Sequence, residues 1–398
     1  MTSQAFPLDL DTLCPRLAQG QGDGDPLVIP IVQSTTFCRS GLDSRAEHRY
    51  SRESNPTVAA LETALGRLES APPAVAFATG LAAEAALFQS LLTAGDHVVC
   101  SRAVYGGTTR LLQQVLPKQG IETTFVDSTD CEAVAHALRA ETKLVFIETP
   151  ANPTLVLSDI ARIAVIAHAR GALLAVDNTF LTPVLQQPLE LGADFSVYST
   201  TKFIEGHSVA LGGAVVGRDP ELLDELRFIR KCTGGVQAPF NAWLTLQGLK
   251  TLPLRLQRQS ENARILAEWL SVHPDVATCH YPSLHGFAQK RLAGEQHRGA
   301  HGAVVAFELD GGAERARGIL NAVRLCRLVE HVGSVETLLT HSASMTHGGV
   351  APEEREATGV TEGLLRLSVG LENPLDVCAD LQQALEATSE ERSVSCRA

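Results

Sequence analysis

Short apolar runs alternate with longer stretches of helical periodicity between residues 56 and 250. Runs this short are typical of strands buried on both faces of a parallel sheet, with helices between them. We therefore predict an α/β architecture with a mostly parallel sheet, whose ligands sit beyond the carboxyl ends of the strands. The apolar runs occupy residues 75–78, 97–100, 144–147, 173–176 and 195–198.

The pattern differs on either side of this region. Residues 1–55 are rich in turn-forming residues, which predicts an N-terminal arm that packs on a neighbouring subunit. Residues 56–253 form the large domain in this interpretation. Beyond them, a long amphipathic stretch, an apolar run at 304–309 and a helical tail at 374–387 predict a smaller α+β domain over residues 254–398.

Composition narrows the possible functions. The 398 residues, 44% of them apolar, exceed the usual size of one domain. The formal net charge of −12 is spread along the chain, so we expect no nucleic-acid partner, because phosphate backbones require clustered Lys and Arg. The nine Cys are scattered without a CxxC pair, which predicts neither a disulfide framework nor a metal site.

The sequence has no targeting pattern and no apolar run near the ~20 residues that span a bilayer, so we expect a cytoplasmic protein without a membrane partner.

Two of the apolar runs are followed by residues whose backbone or side-chain groups suit a ligand. Gly80 and Leu81 open a helical pattern after the first run, where free backbone N–H groups either receive an anion such as phosphate or simply close a turn. Asn152 lies in the double-proline turn Glu148-Thr149-Pro150-Ala151-Asn152-Pro153, which is either a ligand-binding loop or a plain turn.

An acid and a lysine follow two further runs. Asp177 comes directly after an apolar strand, where a carboxylate either meets a cation such as a protonated pyridinium nitrogen or caps a turn. Lys202 follows the hydroxyl residues Ser199 and Thr201, which suit a phosphate group. A lysine whose pKa is lowered by burial can form a Schiff base. Together these residues predict a cofactor held between an acid and an amine.

Two arginines suggest anion sites. Arg366 interrupts an apolar strand, where its guanidinium needs a partner such as a substrate α-carboxylate. Tyr50 and Arg52 lie in the arm, from which they either reach the site of a neighbouring subunit and bind phosphate or remain at the surface.

In this order, these residues resemble the Cys/Met-metabolism family of pyridoxal 5'-phosphate (PLP) enzymes of fold type I, the trans-sulfuration enzymes. The family includes cystathionine γ-synthase, cystathionine γ-lyase, methionine γ-lyase and the homoserine-ester sulfhydrylases. The resemblance extends from about residue 30 to residue 385. Its most specific segments are Tyr50-Ser51-Arg52-x-x-Asn55-Pro56-Thr57, the double-proline turn at 148–153, Asp177-Asn178-Thr179, Ser199-Thr200-Thr201-Lys202 with Gly206-His207, and Arg366-Leu367-Ser368-Val369-Gly370.

The resemblance implies a role for each of these residues. It makes Lys202 the lysine that binds PLP covalently and later moves protons, Asp177 the partner of the pyridinium, and Tyr105 the residue that stacks on the ring and assists proton transfer. The implied phosphate ligands are Gly80, Leu81, Ser199 and Thr201, with Tyr50 and Arg52 from an adjacent subunit. The implied substrate contacts are Arg366, Asn152, Glu330 and Tyr50. A site shared between subunits implies a homo-oligomer, and the family suggests a tetramer built of two active dimers.

The resemblance also implies the reaction. Lys202 removes the Cα proton, a Cβ proton follows, and the γ-leaving group departs. The unsaturated product either adds a thiol, which is γ-replacement, or is hydrolysed to 2-oxobutanoate, which is γ-elimination. A non-catalytic binding protein of the same fold is the alternative from another class, but it would lack Lys202 or Asp177, and both are present.

Several positions bear on the branch of the family. Glu330 and the segment Gly234-Gly235-Val236-Gln237 look like the cystathionine γ-synthase and γ-lyase branch, although Arg49 stands where that branch commonly has an acid. Gly107 stands where methionine γ-lyases typically carry Cys, and His331 where many relatives have Ser. The segments that look more like sulfhydrylases are Gly171–Asn178, Gln186–Pro188, Val209–Gly213 and Pro239–Trp243. In the sulfhydrylase alternative, Arg49 meets the carboxylate of a succinyl ester.

Overall fold

The computed structural model describes residues 8–20 and 22–395, which form two β-sheets with helices packed against them. The strands of the first sheet are β1 Val75–Phe77, β2 His97–Ser101, β3 Glu122–Val126, β4 Thr142–Glu148, β5 Leu173–Asp177, β6 Phe195–Tyr198 and β7 Gly213–Gly217. The strands of the second sheet are β8 Val276–His280, β9 Val304–Leu309, β10 Arg327–Leu328, β11 Leu338–His341 and β12 Leu364–Ser368.

Helices connect and cover the strands. The α-helices are α1 Leu10–Leu13, α2 Pro56–Leu68, α3 Gly80–Leu91, α4 Gly106–Arg110, α5 Cys131–Ala137, α6 Ile160–His168, α7 Thr182–Leu185, α8 Pro220–Thr233, α9 Pro239–Leu249, α10 Leu252–Ser271, α11 Lys290–Gln296, α12 Gly312–Ala322, α13 Pro352–Glu356 and α14 Pro374–Ser395. Short 3-10 helices cover Cys14–Arg16, Leu116–Gln119 and Pro188–Leu191, and a π-helical turn covers Leu111–Val115. No helix within the described ranges is both long and apolar enough to cross a bilayer.

The first sheet has the order β1-β7-β6-β5-β4-β2-β3, and β7 runs antiparallel to both of its neighbours. The remaining neighbours pair in parallel, so the prediction of a mostly parallel sheet is confirmed. The apolar runs became β1, β2, β4, β5 and β6. Alternate residues of each central strand pack on opposite faces. In β5, for example, Ala175 faces the core with α3 and α8, whereas Leu174 and Val176 face α5 and α6.

Two strands of this sheet do not follow the apolar pattern and were not predicted. Strand β3 begins with Glu122-Thr123-Thr124 because it lies at an edge, where most of its side chains are half-buried. Strand β7 is rich in Gly because it passes close to the turn before α3. A Cβ on Gly213 would lie 2.2 Å from the carbonyl oxygen of Thr79.

The second sheet has the order β10-β11-β12-β9-β8 and is antiparallel except for the pair β10 and β11. Helices α10 and α12 pack against it and α14 packs on these two helices, in agreement with the predicted α+β pattern. The proposed domain division after residue 253 falls in the first turn of α10. One apolar core continues from α2 and α9 through α10 to β9 and β12, so the two sheets share buried side chains.

Beyond Arg16 the described part of the arm forms loops and turns without helix or strand, but the arm is partly anchored on its own chain. Leu13, Cys14 and Leu17 are buried in the core beside α10. Farther along, Leu27 and Leu42 are exposed, by 71% and 93%. The contact of the arm with a neighbouring subunit remains a prediction.

Candidate active site

A cavity of about 350 Å³ opens where the carboxyl ends of the central strands meet the second sheet. Its walls come from the residues after β1, β2, β4, β5 and β6 on one side and from β12 and the loop after β10 on the other. Ten of the residues predicted for the site line this cavity, namely Gly80, Leu81, Tyr105, Asn152, Asp177, Ser199, Thr201, Lys202, Glu330 and Arg366.

One end of the cavity is formed by the N-terminus of α3. Thr79 caps this helix, because its Oγ1 accepts a hydrogen bond from the Ala82 amide at 3.0 Å. The next residue, Gly80, lies against Ser199, where an added Cβ would be 2.9 Å from the Ser199 Cβ. The absence of a side chain at Gly80 therefore leaves the first backbone N–H groups of the helix accessible beside the Ser199 hydroxyl, an arrangement that suits a phosphate.

Thr201 lies at the same end but already has partners. Its Oγ1 donates to the carbonyl of Gly212 at 3.1 Å and accepts from the amide of Gly212 at 3.0 Å. The hydroxyl must turn away from Gly212 before it can donate a hydrogen bond to an anion.

Asp177, the last residue of β5, also lines the cavity and is buried, with 8% of its surface exposed. Its Oδ1 accepts a hydrogen bond from the Thr179 amide at 2.9 Å, and burial raises its pKa to about 6. The Thr179 hydroxyl in turn accepts from the Ser199 amide at 2.9 Å, which links the segments that follow β5 and β6.

Two further carboxyls, Glu84 and Glu148, line the cavity with Asp177, and sequence reasoning assigned neither of them. Glu84 on α3 accepts from the Thr108 hydroxyl at 2.8 Å, and Glu148 accepts from the Tyr105 amide at 2.6 Å and the Asn152 amide at 3.1 Å. Burial, reinforced by Asp177, raises the pKa of Glu84 to about 8 and that of Glu148 well above its usual range.

Three neighbouring buried acids disfavour one another's ionisation and create a strong preference for a cation. A pyridinium is such a cation. A glutamate in the first turns of an Ala-rich helix, and another directly after an apolar strand, were the sequence signals that could have identified Glu84 and Glu148.

Lys202 lies in the turn after β6 and lines the cavity. Burial, together with the charge of Arg366, lowers its pKa to about 8. The Nζ atom is 3.3 Å from Nδ1 of His331. An amine with a lowered pKa at this position is suited to form a covalent bond with a carbonyl carbon.

Arg366 on β12 is buried, with 2% of its surface exposed. Its guanidinium donates to Oδ1 of Asn152 at 2.8 Å, to the carbonyl of His331 at 2.9 Å and to Oγ1 of Thr340 at 3.2 Å. Its Nε is buried and has no hydrogen-bond partner among residues 8–20 and 22–395. A buried guanidinium held by neutral acceptors is well prepared to bind a carboxylate.

Tyr50 and Arg52 lie outside this cavity. They line a separate cavity of about 340 Å³, where Arg52 donates to the carbonyl of Lys231 at 3.3 Å and lies 5.5 Å from the centre of the Tyr50 ring. Within one chain they therefore do not meet Lys202, and their action on a neighbouring subunit's site stays a prediction.

An anion site, an amine and an acid thus line one cavity, together with a buried arginine. The N-terminus of α3 and Ser199 fit the phosphate of PLP, Lys202 its carbonyl carbon, and Asp177 its pyridine nitrogen.

The family model for the Cys/Met metabolism PLP-dependent enzymes matches residues 16–386. The chain belongs to this family. It is 43% identical over 358 residues to a cystathionine γ-lyase of Bacillus subtilis, covering 90% of this chain and 94% of the relative. It is 41% identical over 371 residues to an L-methionine γ-lyase of Fusobacterium nucleatum subsp. nucleatum, covering 90% and 93%.

A solved structure supports the same assignment. The cystathionine γ-synthase of Xanthomonas oryzae pv. oryzae in complex with cystathionine has a TM-score of 0.94 to this chain at 39% identity, covering 97% of this chain and 100% of the other. The fold is therefore that of the PLP enzymes of fold type I. PLP is the cofactor, and the protein is a PLP-dependent lyase or transferase that carries out γ-elimination or γ-replacement on a sulfur amino acid.

Proposed function

We propose that the enzyme is of the cystathionine γ-synthase or cystathionine γ-lyase type. The observation that carries the proposal is that Glu330 lines the same cavity as Lys202 and Arg366. A long amino acid whose α-carboxylate binds Arg366 would extend toward Glu330, where a carboxylate suits a second ammonium group. Cystathionine carries such a group at its far end.

In this reaction the chain's own residues bind, orient and move protons. Arg366 and Asn152 hold the α-carboxylate, and the Lys202 amine takes the Cα proton and returns it at a later step. Asp177 would hold a positive charge at the pyridine nitrogen. Bound PLP supplies the electron sink that makes the Cα and Cβ protons acidic.

Gly107 argues against a methionine γ-lyase. A Cβ at this position would lie 2.4 Å from the ring of Tyr105 and 2.9 Å from Cδ1 of Leu81. The Cys that is typical of methionine γ-lyases therefore requires a different position of the Tyr105 ring. The likeness to curated methionine γ-lyases supports the reaction class rather than the choice of methionine as substrate.

An O-succinylhomoserine sulfhydrylase is the second candidate, and Arg49 favours it. Arg49 lies in the exposed arm, where its Nε donates to the carbonyl of Ala46 at 3.4 Å. If the arm covers a neighbouring subunit's cavity, this guanidinium suits the carboxylate of a succinyl ester. The tetramer and the cytoplasmic location are likewise parts of this proposal.

One set of assays tests the proposal. The purified enzyme receives cystathionine, methionine, O-acetylhomoserine and O-succinylhomoserine in turn, each with and without cysteine or sulfide, and the products are identified by mass spectrometry. We expect cystathionine to be formed or cleaved with the highest kcat/KM. The variant Glu330→Gln should raise KM for cystathionine about tenfold or more, since one ion pair is lost, and leave KM for methionine unchanged. Preferential use of sulfide would establish the sulfhydrylase instead.

A further inference from the structure

His331 makes a contact that the proposed roles leave unexplained. Its Nδ1 lies 3.3 Å from the Nζ of Lys202, and its backbone carbonyl accepts a hydrogen bond from Arg366 at 2.9 Å. Gly333, at φ +89°, brings this loop against the lysine, because a Cβ there would lie 2.8 Å from the carbonyl carbon of Lys202. The imidazole is therefore fixed by its main chain and directed at the amine.

The protonation states determine which atom donates. Burial and the nearby charges of Lys202 and Arg366 lower the pKa of His331 to about 4, so its ring is neutral at pH 7. The pKa of Lys202 is about 8, so in the cofactor-free chain at pH 7 the amine is mostly an ammonium, which only donates. Nδ1 must then be the acceptor, and the ring proton resides on Nε2. Nε2 is buried without a partner in the described part of the chain.

Two charged groups of the second sheet act on this pair. Arg366 on β12 faces both members, and Glu336, in the loop after β10, faces His331. The other titratable groups lining the cavity are Glu84, Tyr105, Arg110, Glu148, Asp177 and Glu330. Burial and Arg366 both disfavour the ammonium form of Lys202, whereas a neutral nitrogen acceptor favours it.

We propose that His331 is a positioning residue for Lys202, whose amine it holds through Nδ1 in both the neutral and the protonated form. An amine in either form can donate one hydrogen to Nδ1. The contact therefore persists while Lys202 takes a proton from the substrate and returns it, and it directs the remaining lone pair of the neutral amine. This inference rests on the proposed function, in which the Lys202 amine acts as the base.

The first test uses the cofactor-free chain and two variants of equal size. His331→Asn retains an acceptor near the position of Nδ1, whereas His331→Leu removes it. The extent of Lys202 acetylation by trace acetic anhydride is measured against pH by peptide mass spectrometry. We expect the Leu variant to have its midpoint about one pH unit below that of the wild type, because the ammonium loses its acceptor, and the Asn variant to stay near the wild type. Unchanged midpoints, or equal shifts in both variants, would overturn the proposal.

The second test uses the PLP-loaded enzyme. We expect His331→Leu to lower kcat by about 10- to 100-fold with little change in KM, because a misplaced base slows proton transfer without weakening substrate binding, and Asn to restore most of kcat. A loss confined to KM in the Leu variant, or no rescue by Asn, counts against a positioning role. If the Leu variant does not fold, His331→Ala takes its place, and the same changes in kcat and KM are expected.

The two proposals fail in different ways. If Lys202→Ala retains full turnover, the proposed function fails, whatever the labelling shows. If Lys202→Ala is inactive but the labelling midpoint does not respond to residue 331, only the role of His331 fails.

Discussion

Replacement of Glu84 by Gln should stabilise the cofactor-free chain in a manner that depends strongly on pH. Glu84 is 3% exposed, and burial beside Asp177 raises its pKa from 4.5 to about 8. A carboxyl whose folded pKa lies above its unfolded value binds more protons when folded, so stability falls as pH rises between those two values. Gln has nearly the same shape and still accepts the hydrogen bond from Thr108, but it does not ionise.

The size of the effect follows from the two pKa values. Each pKa unit corresponds to ~1.4 kcal/mol, so the ionisable group costs under ~1 kcal/mol at pH 5 and roughly 3 to 4 kcal/mol between pH 7 and pH 8. Glu84→Gln should therefore leave the free energy of unfolding nearly unchanged at pH 5 and increase it by about 3 kcal/mol at pH 7.

Equilibrium urea unfolding of the cofactor-free chain at pH 5, 6, 7 and 8 measures this difference, since bound PLP would add its own stabilisation. The control is Glu225→Gln on α8, where the side chain is exposed and no pH-dependent gain is expected. If Glu84→Gln and the wild type follow parallel curves across this range, Glu84 is not a neutral buried acid and the account of the acidic cluster is wrong.

Three other outcomes are expected. Asp177→Asn should raise the dissociation constant for PLP at least about tenfold, as judged by cofactor retention on dialysis, because the pyridinium loses its counter-ion, and unchanged retention would exclude that role. Mixing Arg52→Ala chains with Lys202→Ala chains should restore part of the activity that each lacks, whereas the absence of any rescue would show that each subunit's site is self-contained. Gly333→Ala should destabilise the enzyme by about 1 to 3 kcal/mol in thermal or urea unfolding, because φ is +89° and a Cβ would lie 2.5 Å from the Phe203 amide, and Gly286→Ala, in open space, is its matched control.

Much of the first sheet could be predicted because burial on both faces requires continuous apolar runs, as in Leu173–Asp177. The edge strand beginning at Glu122 and the Gly-rich strand beginning at Gly213 could not, since edge exposure and close backbone approach leave no apolar signature. Eight of the ten predicted site residues came together because the strands they follow present their carboxyl ends at one edge of the first sheet, whereas Glu330 and Arg366 come from the second sheet. The Ala-rich start of α3 marks Glu84 as a candidate for burial, but the contact of its carboxyl with the Thr108 hydroxyl depends on how α3 packs.

The contact of His331 with Lys202 shows the same limit. The two residues are 129 positions apart, and they meet only because Gly333 allows one loop to lie against another. Sequence comparison could indicate that His331 replaces the usual Ser, but only the folded structure shows that its ring contacts the Lys202 amine.

The bond between Arg366 and Asn152 links the two layers of the molecule at the point where the ligand carboxylate is expected. The arginine belongs to one sheet and the asparagine follows a strand of the other, with 2.8 Å between Nη1 of Arg366 and Oδ1 of Asn152. The distance from the Arg366 guanidinium to the reactive carbon of the substrate is thus set by how the two sheets pack on each other. Repacking of side chains between the two sheets, far from any ligand atom, would change turnover by moving Arg366 relative to the Lys202 amine.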